Sequence, residues 1–486
     1  MTEVAVTSVP LGHFIDGVDA PSESSGDIVV FNPATGTVLN RVARGTVAEV
    51  DRAVESAAAA LPSWRVRPPA ERAAALRAMG DALAAKADEF AAVEAANGGK
   101  AIHNARAEID ASVALMHFYA GVATQNFGRQ VPMPDPESLC YTVHEPVGVV
   151  AAITPWNYPL QIAAGKIAAA LCVGCTVVVK PAPETPLTTI MFARLAVEAG
   201  LPAGVLNVVL GDDSTGAALV IHPKIAKITF TGSTAAGRRI ASAAGADGRP
   251  VVMELGGKSP NIVFDDVDLG AAIEVILMGG LANSGQECCA GSRILVQATI
   301  ADEFKAAAER WLGAVQVGPG EADAVVGPLI SARQRERVAG LVERALADGA
   351  EVVAQAPAPQ DGFFYPPTIL GCVNGDMEIC TEEIFGPVLT IDTFVDEDDA
   401  IAKGNATTYG LAAGVWTSDV GRALRCVSRL EAGIVWVNSY LAGDEAAPFG
   451  GRKDSGFGRE LGVEGALEFT TVKTVYLKAA PTGGVA

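Results

Sequence analysis

Between Glu145 and Leu255, short β-branched runs alternate with alanine-rich stretches of helical period: GVVAAIT, LQIAAGKIAAAL, TVVVK, TIMFARLAVEAG, VLNVVLG, AKITFTG, AAGRRIASAAG and PVVMELG. Strand and helix alternating at this spacing predict βαβ units and a parallel sheet. Such a sheet places ligands beyond the carboxyl ends of its strands. A second series, from NIVF at 261 through ILVQ and VLTIDTFV to IVWVN at 434–438, predicts another α/β domain. Before residue 130 the pattern is mostly helical. TVAE at 46–49 fits a capping box, and helical spacing continues through AEVDRAVESAAAAL, through AERAAALRAMGDALAAKADEFAAVEAANG, and from about Ala105 to Thr124.

Charge and apolar length exclude several classes. With 36 basic against 56 acidic residues in 486, the net charge of −20 argues against a nucleic-acid partner. The longest apolar run, IAAALCVGCTVVV at 167–179, is too short to span a bilayer and reads as a buried helix turning into a strand, so no membrane partner is expected. Glu3 stands where a secretory signal carries positive charge, and no apolar stretch follows, which predicts a cytoplasmic protein. Eight cysteines without a signal sequence read as reduced thiols. Cys172 and Cys175 form a C-x-x-C that lacks a second ligand pair, and the five histidines do not cluster near it, so no metal is expected.

Two glycine-rich segments imitate nucleotide loops. GGKS at 256–259 has Val252 where a Walker loop needs glycine, and GFGRELG at 456–462 has Leu461 in place of a third glycine and reads as a tight turn. ITFTGSTAAG at 228–237 runs a strand into Gly232, Ser233 and Thr234 and then a helix, a junction that suits a pyrophosphate and equally an ordinary serine cap. In AITPWNYPL the Asn157 amide is able to donate to an oxyanion or cap a turn. Glu254, ending VVME before two glycines, is a general base or a solvated strand end. Cys288 and Cys289 in NSGQECCAGSR have small, polar flanks that suit a thiolate of lowered pKa, whereas burial is the usual fate of free cysteine. Glu287 opposes the thiolate unless it points away.

PWNYP, MELGGKSP, GQECCAGSR and EEIFGPV, in this order, resemble the NAD(P)-dependent aldehyde dehydrogenase superfamily, and the likeness runs on to PFGGRKDSGFGRE at 448–460. The separation of Glu254 from Cys288, 34 residues, fits the same family. The resemblance implies two Rossmann-like parallel-sheet α/β domains plus a small β oligomerisation element. Residues 1–123 and 147–256 would bind NAD(P), 257–454 would form the catalytic domain, and 124–146 with 469–486 would form the element joining a homodimer or homotetramer. It further implies that Cys288 is the nucleophile and Cys289 a bystander, that the Asn157 side chain and the Cys288 backbone N–H hold the oxyanion, and that Glu254 activates water. Lys166 and Glu460 match a proton relay behind that base.

For the cofactor, the resemblance implies Lys180 at the adenosine ribose, Ser233 at the pyrophosphate, Glu383 at the nicotinamide ribose and Phe385 beside the nicotinamide. Ile153, Thr154, Trp156, Gly232 and Leu255 would line the same groove. NAD is the expected cofactor; Pro183 replaces the ribose-binding glutamate of many NAD-preferring relatives and leaves NADP open, with Glu184 facing elsewhere. A small-molecule aldehyde would meet Tyr158, Ile162, Glu287, Cys289 and Phe449, with Gly165 and Gly443 widening the tunnel. Asp444 and Glu445 offer either attraction for a cationic aldehyde or a solvated acidic rim. The rivals are a CoA-acylating aldehyde dehydrogenase and a catalytically idle structural or binding homologue.

Overall fold

Five strands form the parallel core of the first sheet: β1 (Val149–Ile153), β2 (Thr176–Lys180), β3 (Leu206–Val208), β4 (Ile225–Thr231) and β5 (Val251–Glu254). The computed structural model describes residues 11–22, 26–125 and 127–478, so parts of the segments 1–123, 124–146 and 469–486 lie outside the described residues. In space the strands run β3-β2-β1-β4-β5, so the chain reverses its direction of travel across the sheet between β1 and β4. That switch opens a crevice at the carboxyl ends of β1 and β4. β1 and β2 are buried along their whole length, in keeping with the apolar runs VVAAI and VVV of strands covered on both faces.

The second sheet has a parallel core of β6 (Pro260–Val263), β7 (Arg293–Gln297), β8 (Thr368–Gly371), β9 (Val388–Phe394), β10 (Ala412–Trp416) and β11 (Ile434–Val437), ordered β8-β9-β7-β6-β10-β11. Both predicted α/β units are therefore present. A third sheet pairs Ser138–Pro146 antiparallel with Thr470–Lys478 over nine residues, with Gln130–Val131 on its other side. Val472 (58% exposed) and Tyr476 (70%) leave part of it uncovered.

Three expectations need correction. The described residues before Thr46 are not helical: they hold hairpins His13–Ile15 with Val18–Ala20, and Asp27–Asn32 with Thr37–Ala43. Asp16 and Gly17 both take positive φ, the turn that an Asp-Gly pair favours between strands. The second helical run breaks at Lys86 into Pro69–Ala85 and Ala87–Gly98, although no glycine or proline marks the break. Packing decides it: both pieces lie on helices Ile102–Val122 and Leu187–Glu198, but the first also lies on Pro159–Val173 and the second on the strand Asp27–Asn32. GFGRELG is more than a turn, because Gly456–Phe457 adds an antiparallel edge to β5 and a helix begins at Gly462. The Thr46 capping box closes as expected, with Glu49 reaching back to the Thr46 N–H.

Candidate active site

β1 ends at Ile153, and helix α1 (Pro159–Val173) starts on a proline at its first position, where the missing N–H costs nothing. The five residues between them lie at the sheet's switch point, and Asn157 among them is buried. Its Nδ2 donates to the Gln286 carbonyl at 3.1 Å. An amide nitrogen has two hydrogens, so this bond orients the group and leaves the second for a ligand. The Asn157 carbonyl accepts Lys100 Nζ at 2.8 Å and Asn283 Nδ2 at 3.0 Å.

The loop carrying the cysteines comes from the other sheet. Helix α2 (Leu269–Leu281) ends in a turn in which Asn283 (φ 49°), Ser284 (59°) and Gly285 (68°) are left-handed, and a Cβ on Gly285 would lie 2.0 Å from the Gly386 carbonyl oxygen. Gln286 then clamps the loop, its Oε1 accepting the Ile330 N–H at 2.8 Å. This clamp, and Lys100 beside Asn157, escaped the sequence reading because only their partners elsewhere in the chain give them meaning. Cys288 is half-buried and Cys289 buried.

Glu287 does not point away. Its Oε1 stands 3.4 Å from Cys288 Sγ and 3.2 Å from Cys289 Sγ. The Cys289 thiol pulls the pKa of Cys288 down, yet burial and the charges of Glu287 and Glu383 outweigh it and push Cys288 up to about 11. A thiol of lowered pKa is thus not what the protein holds by itself. Cys289 lies well above the ordinary value, through its contact with Cys288 first and then burial. The Tyr158 phenol is also held high, by burial first and then by Glu287.

Glu254 ends β5 buried, and neither of its carboxylate oxygens has a partner among the described residues. Burial first, then the Glu460 charge, holds its carboxyl well above the usual range. Behind it, Lys166 Nζ contacts Glu460 Oε1 and donates to Thr229 Oγ1 at 2.8 Å. Glu460 forms an isolated antiparallel bridge with Phe449, which packs with Cys288 and Cys289. Gly257 joins the two sheets: a Cβ there would lie 2.3 Å from the Cys288 carbonyl oxygen.

The residues expected around a cofactor gather along the switch-point crevice. Gly232 N donates to the Glu254 carbonyl at 3.0 Å, and Ser233 caps helix α3 (Thr234–Ala246), accepting from Ala236 N at 3.3 Å. Thr154 N donates to the Lys180 carbonyl at 3.1 Å, and Leu255 lies against Gly237. Lys180 is buried with Nζ on the Pro181 carbonyl at 3.1 Å; burial lowers its pKa against the opposing charges of Glu184, Asp213 and Asp212. Glu184 Oε1 lies 3.9 Å from Arg333 Nη2. Glu383 accepts the Gly257 N–H at 3.1 Å and is pushed up to about 7 by burial, while Phe385 stands edge-on to Trp156 with centroids 5.1 Å apart. Of the residues expected to meet an aldehyde, Ile162 is half-buried on α1. A Cβ on Gly165 would meet only Leu115 at 3.7 Å and Leu461 at 4.0 Å, and one on Gly443 nothing within 4 Å. Cys172 and Cys175 are buried, each thiol on a backbone carbonyl.

Two parallel α/β sheets, with a cysteine loop of one facing the switch point of the other, define a class of oxidoreductase. The chain belongs to the aldehyde dehydrogenase family, whose sequence model matches residues 20–475. It is similar to an aldehyde dehydrogenase from Bacillus cereus solved as an NAD+ complex, with 40% identity, TM-score 0.95 and 97% of each chain covered. It is also similar to a betaine aldehyde dehydrogenase from Staphylococcus aureus in complex with NAD+, at 37% identity and TM-score 0.94, over 96% of this chain and 95% of that one. Among the described residues no helix is long and apolar enough to cross a membrane.

Proposed function

We propose that the chain oxidises a small aldehyde to its carboxylic acid, with a nicotinamide dinucleotide as hydride acceptor. The observation that carries this reading is the bond from the Asn157 amide to the Cys288 loop, together with a buried carboxyl at Glu254 that has no partner among the described residues. The crevice suits a dinucleotide: the buried hydroxyl of Thr154 has no partner among the described residues, and α3 presents its amino end beside Gly232.

Cys288 Sγ, having lost its proton to solvent, adds to the aldehyde carbon. The free Asn157 N–H and the Cys288 backbone N–H donate to the oxyanion as it forms. A bound nicotinamide supplies a hydride acceptor, so the carbonyl reforms as a thioester on Cys288. Glu254, once it has given up its own proton, takes one from water as the water attacks that thioester; the C–S bond breaks, the acid leaves and the thiolate returns. Lys166 and Glu460 pass the proton outward. Glu254 favours hydrolysis over transfer to CoA, for which a water-activating base has no use.

NAD is the proposed cofactor, and with Pro183 in place of an acidic residue NADP remains a substrate for the assay. We assign the third sheet to contact between copies in a homodimer or homotetramer, because its exposed Val472, Tyr476 and Leu477 are apolar area that a second chain would cover. Free cysteines throughout suit the reducing cytoplasm. An aldehyde panel assayed with NAD and NADP in parallel tests the reading. Reduced cofactor and free acid in equal amounts are expected. No reduction with any aldehyde would refute it, and acyl-CoA without free acid would overturn its hydrolytic half.

A further inference from the structure

Asn157 is braced from behind by a buried ion pair that the reaction itself does not use. Lys100 and Glu108 are 4% and 3% exposed, and Lys100 Nζ contacts Glu108 Oε2. The same Nζ donates to the Asn157 carbonyl at 2.8 Å and stands 4.5 Å over the Tyr158 ring. The other oxygen of Glu108 accepts the Gln161 N–H at 3.3 Å, in the first turn of α1. Two charges thus hold the carbonyl of Asn157, the ring of Tyr158 and the start of the next helix.

The lysine itself has little freedom. Gly99 before it is left-handed (φ 77°), and a Cβ there would lie 2.6 Å from both Pro33 and Pro328. Its own carbonyl packs against Gly320, where a Cβ would come within 2.0 Å. Nearby Glu94 is buried, and burial, followed by the Glu108 charge, pushes its carboxyl up to about 8. With that acid protonated, Lys100 and Glu108 balance each other. A buried ion pair adds little net stability over an apolar pair of the same shape, so its value lies in the geometry it specifies.

We propose that Lys100 and Glu108 are positioning residues for oxyanion stabilisation: they fix the backbone of Asn157 so that its amide faces the carbonyl oxygen of the aldehyde on Cys288. The inference rests on the reading of Asn157 as oxyanion donor. Its scope is the step in which sulfur adds to the carbonyl, not the hydrolysis that follows.

The test is the pre-steady-state burst of reduced cofactor at saturating NAD in the full chain. Asn157→Ala is expected to slow the burst about 10²-fold. The paired substitution Lys100→Met with Glu108→Gln, which leaves no orphan charge, is expected to slow it about tenfold, while the dissociation constant for NAD stays unchanged. Added to Asn157→Ala, the pair should have no further effect, because it acts through a side chain already gone. Effects that multiply, or a burst untouched by the pair, would overturn the proposal while leaving Asn157 its role. A burst untouched by Asn157→Ala would instead remove the reading of Asn157, and the proposal with it. Should the paired variant fail to fold, Glu108→Gln alone must show a smaller slowing with the same dependence on Asn157, and independence of Asn157 would overturn the proposal equally.

Discussion

The Glu287 carboxylate faces both thiols, 3.4 Å from Cys288 Sγ and 3.2 Å from Cys289 Sγ. It accepts from protonated sulfur and repels the thiolate, which is one reason that Cys288 lies near 11. Sign follows directly: below that value the thiol form dominates, so alkylation by iodoacetamide in cofactor-free protein should climb about tenfold per pH unit through the neutral range. Glu287→Gln removes the charge and should move the profile to lower pH. Mass spectrometry locating the adduct on Cys288, with an unshifted profile, would count against this account.

Cys288 and Cys289 should be unequal. Cys289 is buried with its carbonyl held by Tyr440 Oη at 2.9 Å, whereas Cys288 is half-buried on the loop whose Gln286 carbonyl accepts the Asn157 amide. Cys288→Ala should lower the steady-state rate by about 10³-fold or more, and Cys289→Ala should keep most of it. The opposite ranking would reassign the nucleophile.

Glu254→Gln should separate catalysis from stability. Loss of the base should leave a burst of reduced cofactor followed by turnover slowed about 10²-fold. Because burial raises the carboxyl above its ordinary 4.5, the folded chain holds a proton that the unfolded chain releases. Stability is therefore lost as pH climbs from that ordinary value towards the raised one. Glutamine has no such loss, so the variant should gain about 1 kcal/mol at pH 8 and less at pH 5.5, read from thermal midpoints.

Gly257→Ala should damage activity more than folding. The added methyl would meet the Cys288 carbonyl at 2.3 Å, and relief requires the nucleophile loop to shift. A stability cost of about 1–3 kcal/mol is expected together with a burst slowed about 10²-fold. A variant with wild-type burst kinetics would show the loop to be more yielding than the packing implies.

Pro183→Glu should turn the cofactor preference towards NAD. A carboxylate three residues after Lys180 would repel a 2′-phosphate, and the NAD-to-NADP ratio of kcat/KM should rise about tenfold or more. An unchanged ratio would mean that this position does not face the ribose.

The sequence by itself determined the parallel α/β class, the two series of strands and the chemistry-bearing residues, because strand and helix periods and motif order are local properties of the chain. It also carried the Thr46 capping box and the strand end at Glu254. The two hairpins before Arg44 were readable in part, since Asp16-Gly17 is a hairpin signal, but the helical pattern that follows obscured them. Tertiary structure alone decided where Glu287 turns, why Gly257 must be glycine, how Lys100 reaches Asn157 and where the helix breaks at Lys86. These depend on groups far apart in the chain, Lys100 and Asn157 or Gly257 and Cys288, meeting in space. The raised thiol of Cys288 belongs with them: burial and a facing carboxylate set it, and neither can be read from the order of residues.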